Sequence, residues 1–194
     1  MSTVGTPPAT RVRYLIDAQG STFTVRAFAT GMLSAFGHNP TIAIPDFGGD
    51  VQFASSGLED ASLRIVIQAG SLAVTDDINT KDREEIERRM RDEVLETDGY
   101  GEISYECPRV SSVQKLGDSS FMVALNGELA LHGVTRVQPV AARVTLSGDT
   151  LRAAGEFSVL QSDYEIRPVS AAGGTVKLKD ELKLSFDIRG RKQS

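Results

Sequence analysis

The side chains able to do chemistry in this chain are few and scattered. There are two histidines, His38 and His132, and a single cysteine, Cys107. His38 lies in Phe36-Gly37-His38-Asn39-Pro40, a loop or strand-end signature, and His132 precedes Gly133 at an expected turn. A metal site needs several ligands at workable spacing, and no cysteine or carboxylate stands at such a spacing from either ring. The two rings therefore read as hydrogen-bonding groups. His38, with Asn39, is also a candidate for touching a polar head group at the mouth of a cavity. The chain has no Gly-x-Ser-x-Gly elbow, His-Glu-x-x-His pair, phosphate-cradling glycine loop or Cys-x-x-Cys. Cys107 precedes Pro108 with nothing beside it that marks a reactive thiol. No catalytic residue, metal or cofactor is assigned.

One carboxylate sits oddly. Asp180 falls on the apolar face of a segment in which Val176, Leu178, Leu182, Leu184, Phe186 and Ile188 alternate with Lys177, Lys179, Glu181, Lys183, Asp187 and Arg189. An inward carboxylate is costly unless it meets a cation or backbone donors, or a bulge turns it outward. Arg26, Arg136 and Arg167 are the candidate partners, in a structural pair.

The elements that must hold these residues are amphipathic strands. Alternation of period two recurs at Phe23, Val25, Ala27 and Ala29, at Leu63, Ile65 and Ile67, and at Phe121, Val123, Leu125, Leu129 and Leu131. It returns at Val140, Ala142, Val144 and Leu146, and at Leu151, Ala153, Gly155, Phe157 and Val159. Glycine-bearing turns separate the runs, and Ser147-Gly148-Asp149-Thr150 suits a tight antiparallel hairpin. Asp82 to Leu95 breaks the pattern. It is rich in Glu and Arg, and it places Ile86, Met90 and Val94 at i, i+4 and i+8, which predicts a helix with a narrow apolar stripe. Asp82 with Glu85 forms a possible capping box, Thr80 is a rival N-cap, and the helix stops before Gly99. Many short strands with one helix predict a closed barrel or a sandwich.

The bulk numbers set limits. At 194 residues the chain fits one domain, expected over 11–194 behind a disordered tail at 1–10. A formal net charge of −5 argues against general affinity for nucleic acid or an anionic membrane surface. No stretch approaches a membrane-spanning run, no secretory signal is seen, and one cysteine precludes an internal disulfide, so the expected address is the cytoplasm.

The order of landmarks resembles the YceI-like polyisoprenoid-binding family over roughly Arg13 to Arg189. Tyr14-Leu15-Ile16-Asp17 followed by Ser21-Thr22-Phe23-Thr24-Val25 looks like its first strand pair. Phe47-Gly48-Gly49-Asp50-Val51-Gln52-Phe53 resembles its Phe-x-Gly-x-(Ile/Val)-x-Phe segment. Tyr100 to Tyr105 resembles the strand after its helix, and Gly127 to Arg136 resembles its Gly-x-Leu-x-(Leu/Ile)-x-Gly-x-Thr-Arg hairpin. Asp163-Tyr164-Glu165-Ile166 stands where the family reads Asp-Phe-Gly-Ile. Three departures are plain: the helix lacks an Arg-Asp-x-His-Leu beginning, Gly101 replaces a common proline, and Glu165 replaces a glycine.

The resemblance implies an all-β protein, an antiparallel eight-stranded lipocalin-like barrel with one α-helix packed alongside and an isoprenoid chain in its lumen. The candidate lining is Phe23, Val25, Phe53, Ile65, Ile67, Met90, Phe121, Val123, Leu125, Phe157 and Phe186; Arg136 joins His38 and Asn39 as a head-group candidate. A barrel of ten-residue strands is roughly 25 Å tall, and each five-carbon unit buried contributes on the order of 3–4 kcal/mol before ordering costs. The leading expectation is non-enzymatic binding, transport or storage of an isoprenoid or quinone-like lipid, without nucleic-acid binding or stable membrane insertion. The rivals are a barrel with a filled core serving as a protein-interaction or homodimer module, and a lipocalin-like enzyme using His38 with a carboxylate.

Overall fold

The eight long strands pair in the order in which the chain makes them. The computed structural model describes residues 10–30, 39–168, 170–171 and 176–193. Its barrel strands are β1 (Arg11–Arg26), β2 (Phe47–Ala54), β3 (Ser62–Gln68), β4 (Glu102–Cys107), β5 (Ser120–Leu131), β6 (Val134–Ser147), β7 (Thr150–Leu160) and β8 (Glu181–Lys192). Each is antiparallel to its neighbours, and β8 pairs back onto β1, so the sheet closes. Closure satisfies edge strands that a sandwich would leave open. Alternation alone fits barrel and sandwich alike; the β1–β8 ladder makes it a barrel. The tail expected at 1–10 lies, up to residue 9, outside the described residues.

Alternation aims one face of every strand at the axis, and β1 needs a correction to do so. Tyr14 and Ile16 point inward at even positions, whereas Phe23 and Val25 point inward at odd ones. The switch is a register shift between Asp17 and Thr22 against β8. There the Asp17 carboxylate accepts from the Gly20 N–H at 3.1 Å, and the Ser21 hydroxyl donates to the Asp17 carbonyl at 2.6 Å. One irregular stretch therefore lets both halves of a 16-residue strand face the bore. At the hairpin joining β5 and β6, His132 and Gly133 both have positive φ, the backbone a two-residue turn needs. The Ser147–Thr150 hairpin forms as expected.

The wall is unevenly zipped. Pairing between β6 and β7 runs only from Ser147/Thr150 to Arg143/Ala154. Beyond it Pro139 supplies no N–H, and the Gln138 amide reaches across to the Ser158 carbonyl at 3.3 Å.

One end of the barrel is packed shut by Tyr14 stacked on Phe53, with ring centroids 5.5 Å apart, beside buried Leu58, Ala61 and Val110. At the other end lies helix α1 (Thr80–Arg89), continued by a wider π-turn over Met90–Val94. Its cap differs from expectation. Asn79 is the N-cap: its side chain accepts from the Asp82 N–H at 2.9 Å and donates to the Asp82 carboxylate at 2.6 Å. Neither Thr80 nor an Asp82–Glu85 box takes that part, because Thr80 is already the first helical residue. The expected α-helix over 82–95 thus begins earlier and ends as a π-turn, and Glu96, at φ 45°, terminates it ahead of Gly99.

Candidate ligand-binding cavity

A cavity of about 640 Å³ occupies the barrel axis from the packed floor to the helix. Every barrel strand contributes to its wall, which is almost wholly aliphatic and aromatic. At the helix end Ile86, Met90, Val94 and Leu95 border the space. The π-turn carries Met90 and Val94 round to the bore, and the Leu95 N–H returns to the Met90 carbonyl at 2.9 Å.

The phenol of Tyr105 and the amide of Gln161 in the wall are already engaged. The Tyr105 hydroxyl donates to the Gln138 carbonyl and accepts from the Gly127 N–H, both at 3.0 Å. Burial pushes its pKa up to about 12, against the opposing pull of that N–H. Residue 127 must be glycine here, since a Cβ would stand 2.5 Å from the Tyr105 ring. Gln161, buried, donates to the Lys179 carbonyl at 2.9 Å. Near the helix the border turns acidic, with Asp76, Asp82 and Glu85 against Arg89. Arg89 reaches Glu93 at 3.1 Å, and Asp76 accepts from the Thr41 N–H at 2.7 Å.

The candidate lining divides. Phe23, Val25, Ile65, Ile67, Met90, Val123, Leu125, Phe157 and Phe186 border the cavity. Phe53 and Phe121 do not. Both pack in the core at the closed end, where the strands run on past the cavity floor. Alternation gives the face but not the height along the axis. The bordering Tyr105, Leu129, Val140, Leu182 and Ile188 were not picked out, although all but Tyr105 stand in the alternating runs.

The head-group candidates are not assembled at the cavity. His38 lies outside the described residues. Asn39 spends its side-chain oxygen on the Ala29 N–H at 2.9 Å, and exposed Arg136 donates to the Asp163 carbonyl; neither borders the cavity. His132 joins the helix to the turn at Gln161–Tyr164: its ring nitrogens meet Glu96 at 2.7 Å and the Tyr164 carbonyl at 3.3 Å, with the Tyr100 ring 4.5 Å away. Asp180 sits at the break before β8 and accepts from the backbone N–H and hydroxyl of Ser162. The backbone-donor solution holds there, and Arg26, Arg136 and Arg167 are not its partners. Burial raises the pKa of the Cys107 thiol. Among the described residues no group of three or more His, Cys, Asp or Glu has the placement to hold a metal ion, and no helix is long and apolar enough to cross a membrane.

A closed antiparallel barrel around an apolar bore, with an aromatic stack at one end and a helix beside the other, defines a lipocalin-like barrel. The chain belongs to the YceI-like domain family, whose model matches residues 14–190. A crystal structure of BcnA from Burkholderia cenocepacia superposes with a TM-score of 0.66 at 15% identity, covering 90% of this chain and 98% of that one. A polyisoprenoid binding domain from Saccharophagus degradans, implicated in plant cell wall breakdown, gives 0.67 at 17% identity over 93% and 98%. The Campylobacter jejuni YCEI protein gives 0.59 at 14% identity over 81% and 88%. No curated protein matches the chain. At these identities the structural likeness speaks for the fold.

Proposed function

We propose that the protein binds an elongated apolar molecule with an uncharged head, of isoprenoid or quinone type, inside the barrel, and carries or stores it without chemical change. The observation that carries this reading is the open bore with an engaged, apolar wall. At the ~30 Å³ of a water-sized group, the cavity accepts roughly twenty heavy atoms, about four five-carbon units. Burying that many supplies on the order of 15 kcal/mol before ordering costs. Water is a poor occupant because the wall offers few free polar partners. A filled-core interaction module fits the cavity badly. Family membership and the Saccharophagus domain's description as polyisoprenoid-binding support the same reading. The carboxylates at the helix end favour a neutral head over a phosphate. The residues proposed to touch the chain are the nine candidates that border the cavity, with the helix side chains over one end.

The test is displacement of a neutral apolar dye, N-phenyl-1-naphthylamine. The expected result is dye fluorescence in a saturable site, released stoichiometrically by a four-unit isoprenoid alcohol and far less by its diphosphate. Absence of saturable dye uptake, or equal displacement by a short-chain polar alcohol, contradicts the proposal.

A further inference from the structure

The outside of the barrel beside the helix end carries a charge arrangement that the fold does not ask for. Arg26 on β1 is the direct cross-strand partner of Lys183 on β8. Like charges directly opposite one another destabilise a sheet. Continuing outward, Arg26 faces Thr41 on one side and Lys183 faces Ser158 on the other, so the row holds no carboxylate. Exposed Lys179 completes the group, and the three cations stand 5.8–5.9 Å from the ring centroid of Phe28. Elsewhere on the outer face four arginines meet carboxylates: Arg152 meets Asp187, Arg191 meets Asp17, Arg13 meets Asp50 and Arg64 meets Glu106. Among the described residues no ion pair joins Arg26, Lys179 or Lys183 to the exposed carboxylates on neighbouring rows of the same face, Glu181 and Glu156.

We propose that this patch of Arg26, Lys179 and Lys183 around Phe28 docks the protein on an anionic phospholipid surface, with the helix end of the bore beside the bilayer. Three observations favour a bilayer as the occupant. The cations are gathered on one outward face with an aromatic ring, a combination suited to the charged, half-apolar plane of lipid head groups. Val25, Ala27 and Leu182, which alternate with these residues, border the cavity, so the patch backs directly onto the wall of the bore. The carboxylates Asp76, Asp82 and Glu85 border the helix side of the same end and repel such a surface, which leaves one docking orientation. The whole-chain charge of −5 conceals this local reversal of sign. Use of the docked state for ligand exchange rests on the proposed binding function; docking itself does not.

The experiment is co-sedimentation of the intact protein with phosphatidylcholine vesicles, plain or doped with phosphatidylglycerol, at low and high salt. Wild type is expected to sediment with the doped vesicles only, and to release in salt. The variant Arg26→Gln/Lys179→Gln/Lys183→Gln should partition on the order of a hundredfold more weakly. A Lys179→Arg/Lys183→Arg variant should dock like wild type, and dye uptake into the bore should be unchanged in both variants, which separates this proposal from the binding function. Equal sedimentation with plain and doped vesicles, or docking by the glutamine variant, overturns it. So does docking by no form of the protein, which assigns the patch to an acidic protein partner.

Discussion

At the scale of single residues, the polar groups that stand out in the sequence make structural contacts wherever they are described. His132 ties two elements together, Asp180 caps a turn, and Arg136 holds a carbonyl. Tyr105, whose hydroxyl ties two neighbouring strands in the wall, is legible in the sequence only as part of a strand match. Its role depends on Gly127 of the neighbouring strand, a cross-strand relation that no single segment displays. Glu165 is the converse case. It occupies a family glycine position and has φ 59°, so the departure from the motif reports a real left-handed backbone. Tyr105 yields a prediction with a definite sign. A phenol whose folded pKa is raised stabilises the fold fully below about pH 10, its unfolded value, and that contribution is lost as pH rises through about 12. Tyr105→Phe is expected to cost on the order of 1–3 kcal/mol at neutral pH, because Gly127 and Gln138 lose their partner. Urea titrations should also show a shallower alkaline fall than wild type. The fall should not vanish, since burial raises the pKa of Tyr14 and Tyr164 as well. An alkaline limb identical to wild type contradicts the assignment.

At the scale of elements, the strands were readable because one buried face forces a period of two, and six of the alternating runs name their inward residues directly. What alternation does not carry is the bulge in β1, which reverses parity in mid-strand, and the height of each side chain along the axis. Phe53 and Phe121 were misplaced for that second reason. The helix is readable as a stripe, but its cap and its π-turn are not, since neither changes the apolar spacing of Ile86, Met90 and Val94. The cap gives a prediction. Asn79→Ala removes the acceptor for the Asp82 N–H and should lower the unfolding free energy by about 1 kcal/mol. If the helix gates the bore, dye should also leave faster from this variant in stopped flow. Unchanged stability and an unchanged off-rate together contradict a capping, gating role.

At the scale of the whole molecule, the barrel followed from the order of landmarks, and its open interior did not. Sequence counts apolar positions without telling whether their side chains meet across the axis. Here the Tyr14–Phe53 stack fills one end while the remainder stays open. Charge shows the same limit, since the net value gave no hint of a basic face beside an acidic rim. The open bore is the claim on which the account stands, and a filling substitution probes it. Leu184 lies between Val25 and Phe157 in the register of β8 and borders the cavity. A larger side chain there enters space that already exists, so Leu184→Trp should fold with little loss of stability while obstructing the bore.

Native mass spectrometry of detergent-free wild type and Leu184→Trp, after incubation with a four-unit isoprenoid alcohol and with organic extraction of what is bound, is the most direct measurement. The account predicts one non-covalent adduct per wild-type chain and a Kd at least about tenfold weaker in the variant, read from the adduct fraction across a ligand titration, as ~1.4 kcal/mol of lost binding produces. Wild type found only at its bare mass, or equal occupancy in a folded variant, contradicts it.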